Sequence, residues 1–214
     1  MKPRLRWLAC GLGLASAAVT ATADERIEVC YNYGCNSVVQ VRYSEAQLDW
    51  VRKQLAGARN PVQERAQLGQ ILGRLYYWAG QQSPIHADRG GNLADAAVNG
   101  AMDCIDHSTT TTRLLAMLER RRMLRYHHVL APVRRTHVFV FEHYSAAIEE
   151  LPPRWLSRAK IAVPAQAPAE IQPERFAVDS WFVNNGRPAV ILSLEDWQDG
   201  AGPQVEPLND ADRN

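Results

Sequence analysis

The sequence predicts an α+β domain in which N-terminal helices, one of them headed by a cysteine, pack on a small antiparallel sheet. Three observations predict it. From Ser44 to Leu118 apolar residues recur at three- and four-residue spacings, the mark of helices with one buried stripe. From Tyr126 to Val183 the period falls to two, with β-branched and aromatic residues in alternation. The change of period occurs past the cysteine-headed helix, so helices come first and the sheet follows.

The chain opens on a leader. Lys2, Arg4 and Arg6 precede an apolar run from Trp7 to Val19, and Ala21-Thr22-Ala23 offers small residues at the positions a signal peptidase reads. Residues 1–23 are therefore expected to be a signal peptide, with Asp24 the first mature residue and the product periplasmic or secreted. Cys10, flanked by small residues, precedes any adequate hydrophobic run and does not make a lipoprotein site. No later stretch approaches the roughly 20 apolar residues of a spanning helix. Three of the 24 Lys and Arg leave with the leader, against 23 Asp and Glu that stay. That balance argues against nucleic acid or an anionic surface as the main partner.

What remains, about 190 residues, suits one domain, 24–197, followed by a polar, proline-punctuated tail over 198–214. Ser44 to Leu55 reads as a first helix. Ser44 is its cap, Gln47 completes a capping box, and Leu48, Val51 and Leu55 form the stripe. Val62 to Trp78 reads as a second, with Leu68, Ile71, Leu72 and Leu75 inside. From Gly80 to Asn92 the chain loosens into a loop that delivers Cys104. After the Asn99-Gly100 turn pair comes the helix headed by Cys104, with Leu114, Leu115, Met117 and Leu118 as its stripe. Its four threonines, Thr109 to Thr112, are poor helix formers that keep the helix narrow for close packing. Strands are expected over Tyr126 to Val133, Val138 to Ile148 and Phe176 to Val183. The segment from Leu151 to Pro173 holds five prolines and is expected to leave the sheet, with a short helical turn around Trp155.

Cysteine arithmetic singles out Cys104. Cys10 leaves with the leader, and Cys30 and Cys35 can close a small disulfide across the turn Asn32 to Gly34. Cys104 is then unpaired in an oxidising setting, where a thiol is either buried or used. Asp103 can cap its helix, which places Cys104 in the first turn, where free N–H groups and the positive end of the dipole favour a thiolate. The alternative is a small apolar filler.

A cysteine nucleophile needs a base and a group to orient it. If the second and third strands form a hairpin with Ala147 facing Arg175 and Ser145 facing Ala177, then His143 faces Asp179, and Pro173 stays out of the ladder. His137, six residues upstream and on the same face of a regular strand, is the rival base. Pairing it with Asp179 would draw Pro173 opposite His143.

Asp103-Cys104-Ile105-Asp106 at a helix head, His143-Tyr144-Ser145-Ala146-Ala147-Ile148 on a strand and Ala177-Val178-Asp179-Ser180-Trp181 on the next together resemble the transglutaminase-like superfamily. They look in particular like the bacterial transglutaminase-like cysteine peptidases, whose Cys, His and Asp occur in this order on these elements. The likeness spans roughly Asn99 to Val183. It implies a papain-like/transglutaminase-like core with Cys104 as nucleophile, His143 as base and Asp179 as orienting carboxylate, in a cysteine-dependent hydrolase or acyl transferase acting on amide or peptide bonds without a cofactor. The family often carries a Trp shortly after its His, where this chain has Tyr144 and Ser145, and its hairpin lacks the proline-rich insertion.

Asp103, Cys104, Asp106 and His107 are not expected to bind a metal, because one turn offers only two good zinc ligands with no second pair. Arg120, Arg121, Arg122 and Arg125 read as a solvated helix end. Two function classes remain. One is the enzyme, on a peptide, peptidoglycan or small amide substrate; the other is a non-catalytic binding or assembly module of the same fold.

Overall fold

The computed structural model describes residues 24–92, 94–137, 141–152 and 173–203. The expected leader, the prolines and helical turn of 153–172, and the tail from 204 onward lie outside these. Two strands, β1 (Glu25–Tyr31) and β2 (Ser37–Tyr43), come first. Helices α1 (Glu45–Ala56) and α2 (Pro61–Gly80), a 3-10 turn (Pro84–Ala87) and α3 (Cys104–Arg120) follow. The chain then runs through β3 (His127–His137), β4 (Phe141–Glu150), β5 (Arg175–Asp179), β6 (Val190–Ser193) and a short α4 (Leu194–Gln198). The class is α+β. Among the described residues there are two antiparallel sheets, one of two strands, β1-β2, and one of four in the order β3-β4-β5-β6.

The helices follow their local signals. Ser44 accepts from the Gln47 amide in a capping box, Asn60 caps α2 with Pro61 in its first turn, and the expected stripes are all buried. The stripe of α3, Leu114, Leu115, Met117 and Leu118, joins a core with Leu48, Leu72, Ala146, Ile148 and Val178. Each such leucine contributes about 1.5–3 kcal/mol relative to exposure. Burial therefore outweighs the poor helix propensity of four successive threonines.

Helices do not come first. The β1-β2 hairpin precedes them and packs along α3. Its alternation is in the sequence, with Ile27, Val29, Val41 and Tyr43 buried. A strand pair that short gains its stability from what covers it.

The register of the larger sheet also differs from expectation. Ala147 faces Ala177, not Arg175, and Arg175 faces Glu149, to which it is bonded at 2.6 Å. The slip is two residues, so every side chain keeps its face. The last β4–β5 pair is Ala146 with Val178. His143 and Asp179 thus meet beyond the end of the ladder, diagonally rather than directly opposite. Pro173 stays outside the pairing, where Glu150 donates to the Glu174 carbonyl at 2.8 Å.

His137 is not on the strand of His143. It is the last residue of β3 and pairs across a hairpin with Phe141, while Arg135 is opposite His143. The register of β3 on β4 shifts between Leu130 and Val133, spanning Pro132, which has no N–H to give a ladder. One extra residue there turns the rest of β3 over and decides that Arg135, rather than a neighbour, stands beside His143.

Candidate active site

Asp103 caps α3, its Oδ1 accepting from the amides of Ile105 at 3.0 Å and Asp106 at 2.9 Å, while Asp106 reaches back to the Asp103 amide at 3.2 Å. Cys104 is therefore the first helical residue, and it is half-buried. Its own amide has no acceptor among the described residues.

The disulfide loop locks this helix head. Cys30 and Cys35 are joined, and Asn32, Tyr33, Gly34 and Cys35 all take left-handed φ values between 59° and 65°. That backbone is costly for a residue such as tyrosine. It turns three successive amides toward α3. Tyr33 and Cys35 donate to Asp106 at 2.8 and 2.6 Å, and Gly34 donates to Asp103 at 2.8 Å. Burial, with Asp103 alongside, raises the Asp106 carboxyl to about 6 against the pull of these amides. The same loop steadies the approach to Cys104, since Asn32 donates to the Ala101 carbonyl and accepts from the Gly100 amide. Gly100 itself has φ 98°, and a Cβ there would run into the Pro84 backbone. Mature protein unfolded without reductant is expected to titrate one thiol, and with reductant three. A titration that finds no free thiol in the oxidised monomer sinks the assignment of Cys104 as nucleophile in its resting form, and three thiols without reductant contradict the Cys30–Cys35 pairing.

The thiol Sγ lies 3.9 Å from the Glu142 carbonyl, at the start of β4. The next residue, His143, presents Nε2 to Asp179 Oδ2 at 2.7 Å. Asp179 is 2% exposed. Oδ2 also accepts from Trp197 Nε1 at 2.8 Å, and Oδ1 accepts from the Trp181 amide at 3.1 Å. The imidazole is enclosed by Trp181, Phe182 and Trp197, at centroid distances of 4.8, 5.6 and 5.6 Å. Burial pushes His143 down, but the bonds to Asp179 and to the Cys104 sulfur outweigh it, and the ring is raised to about 9. With Nε2 engaged by Asp179, Nδ1 is the nitrogen left for the sulfur. Cys104, His143 and Asp179, expected to meet, are brought together from α3, β4 and β5.

A second imidazole–carboxylate pair lies behind them. His107, one turn along α3 from Cys104, meets Asp88 at 3.1 Å through Nε2 and the Ser180 hydroxyl at 2.8 Å through Nδ1. Asp88 also accepts from the Met102 amide at 2.9 Å. Thr111 Oγ1 bonds to Ser180 and to the Tyr76 hydroxyl, each at 2.9 Å, and Thr110 accepts from the Cys30 amide at 3.0 Å. The buried network fastens the loop before Cys104 to the residue after Asp179. Its members were legible only as residue types: the threonines were read as keeping the helix narrow for close packing, Ser180 only as part of the strand motif around Asp179, and Asp88 went unread.

Three of the four residues weighed as metal ligands are engaged elsewhere. Asp103 and Asp106 hold backbone amides, and both nitrogens of His107 have partners. Two surface recesses, of about 340 and 430 Å³, lie by Arg65 and Phe176 and by Arg26 and Arg113; neither is lined by Cys104, His143 or Asp179.

No protein-family model, no curated protein and no solved structure matches this chain.

Proposed function

We propose that this chain is an exported cysteine-dependent hydrolase or acyl transferase of transglutaminase-like type, with a papain-like core, acting on amide or peptide bonds. The observation that carries the reading is the Cys104 thiol at a helix head beside an imidazole that a buried carboxylate holds at 2.7 Å. The disulfide and the leader-like first 23 residues support export. Among the described residues no helix is long and apolar enough to cross a membrane.

The chemistry follows from the positions. A His143 raised to about 9 is protonated at neutral pH and is the partner a thiolate needs. The sulfur attacks the carbonyl carbon of an amide, and the C=O π electrons move onto oxygen. That oxyanion forms beside the unengaged Cys104 amide at the positive end of α3. Collapse breaks the C–N bond as His143 gives its proton to the departing amine, leaving a thioester on Cys104. Water or a second amine then loses a proton to His143 and attacks the thioester, which returns the thiolate–imidazolium pair. Peptide, peptidoglycan stem, isopeptide and small amide substrates all satisfy this scheme.

Alkylation tests the base without a substrate. At pH 6.5 a thiol with the ordinary midpoint near 8.5 is about 1% ionised. Loss of the imidazolium in His143→Ala is therefore expected to slow iodoacetamide labelling of Cys104 by about 10- to 100-fold at that pH. His137→Ala is expected to leave the rate unchanged. The reverse pattern would make His137 the base and sink the assignment of His143.

A further inference from the structure

Among the described residues Trp197 heads the fully buried side chains by volume, yet it sits on a helix of only five residues near the end of the described chain. Its indole N–H is directed at the Asp179 oxygen that His143 also uses, at 2.8 and 2.7 Å respectively. Its ring lies 5.6 Å from the imidazole and is tilted by 36° to it. The helix is held from both ends of its short length. Ser193 caps it by accepting from the Asp196 amide at 3.0 Å. Arg135 donates to the carbonyls of Trp197 and of Ala201, the latter at 2.9 Å, and its guanidinium lies 4.7 Å over the indole. Since Arg135 is the cross-strand partner of His143, one rung of the sheet fixes both the imidazole and the tryptophan.

We propose that Trp197 is a positioning residue of the Cys104–His143–Asp179 site, its indole N–H fixing the plane of the Asp179 carboxylate and sharing the charge of Oδ2 with His143. The inference rests on the reading of the site as a thiol enzyme. An oxygen that serves two donors offers each less negative charge than it would offer one. Removing the indole N–H leaves all of Oδ2 to the imidazole, which then holds its proton more firmly. It also loosens the carboxylate about its own bond, because one of its three donors is lost and only the Trp181 amide, on Oδ1, remains beside His143 to orient it. The charged groups facing His143 are Cys104 from α3, Asp179 from β5 and Arg135 from β3; α4 presents the neutral indole, while its acids Glu195 and Asp196 are exposed. Trp197 is thus the way α4 acts on the imidazole, through the shared oxygen.

The test uses mature wild-type protein with its disulfide intact. The indole N–H resonance of Trp197 is assigned by its loss in Trp197→Phe and followed by NMR against pH. It is expected to shift with the same midpoint as the His143 ring, and to stop shifting in His143→Gln. Iodoacetamide labelling of Trp197→Phe is expected to proceed, with the upper inflection of its pH profile raised by about half a unit. An indole resonance indifferent to the His143 titration would overturn the proposal. So would a Trp197→Phe profile that falls evenly at every pH without moving. If Trp197→Phe does not fold, the indole peak is assigned through its contacts with His143 and the wild-type titration decides alone. Should wild-type Cys104 label no faster than in His143→Ala, the thiol-enzyme reading fails instead, and the titration still reports whether the indole and imidazole share Asp179.

Discussion

Cys104→Ala is expected to abolish turnover and to leave the fold nearly untouched. The substitution removes one sulfur from a half-buried position, where its contact with the Glu142 carbonyl at 3.9 Å is long and weak and where His143, on losing the sulfur, is still held by Asp179 at 2.7 Å. The cap, the disulfide clamp and the α3 stripe do not involve the side chain. The loss of stability is therefore about 1 kcal/mol, the scale of one small group. Loss of the nucleophile has no such ceiling, since the thioester route disappears with the sulfur. The measurement is cleavage of a mixed library of peptides and peptidoglycan fragments, read by mass spectrometry beside melting temperature. Cleavage that persists in the variant would end the thiol mechanism. No cleavage by folded wild type, joined to a Cys104 that iodoacetamide does not reach, would favour a binding module.

The second large effect is expected from Asp179→Asn. Three N–H groups converge on this carboxylate, from His143, Trp181 and Trp197, and two of them share one oxygen. An amide has a single oxygen, so either orientation turns its NH2 toward a donor and leaves a buried group unpaired, at a cost of about 1–3 kcal/mol. With the NH2 on the shared side, His143 is forced to accept at Nε2, which places its proton on Nδ1, the wrong nitrogen for a base facing the sulfur. In serine proteases the matching change costs on the order of 10⁴-fold in kcat. A comparable fall in turnover is expected here.

The same variant has a pH signature. His143 is raised in the folded chain to about 9 from an unfolded value near 6.5. Its charge therefore adds stability that is fully present below pH 6.5 and is lost as the pH rises through 9. Urea midpoints of wild type are expected to decline over that window, and the decline is expected to flatten in Asp179→Asn. Equal slopes for the two proteins would mean that Asp179 does not hold the imidazolium.

Much of the site was legible because its signals are local. Asp103 and Asp106 cap α3 within one turn of backbone, Ser44 and Gln47 do the same for α1, and Cys30 and Cys35 are close enough in sequence to meet whatever the rest of the chain does. Period-two alternation placed β4 and β5, and an even slip in their register left His143 and Asp179 on one face. The N-terminal hairpin was also present as alternation, but CYNYGC was read as a disulfide-closed turn and not as the link between two strands. α4 carried a Ser193 cap signal three residues before Asp196 and was passed over as the approach to a polar tail.

The sequence by itself determined where the thiol sits, which cysteines pair and which elements are helices, since each of those depends on neighbours within a few residues. Tertiary structure alone decided how the buried polar groups are partnered. Ser180 meets Tyr76 across 104 positions, the Cys30 amide meets Thr110 across 80, and Glu64 meets His127 across 63. Side chains such as these carry no periodicity of their own. A buried polar group is tolerated only where a partner from a distant element arrives to satisfy it, and that arrival is fixed by how the core packs, not by the residues on either side.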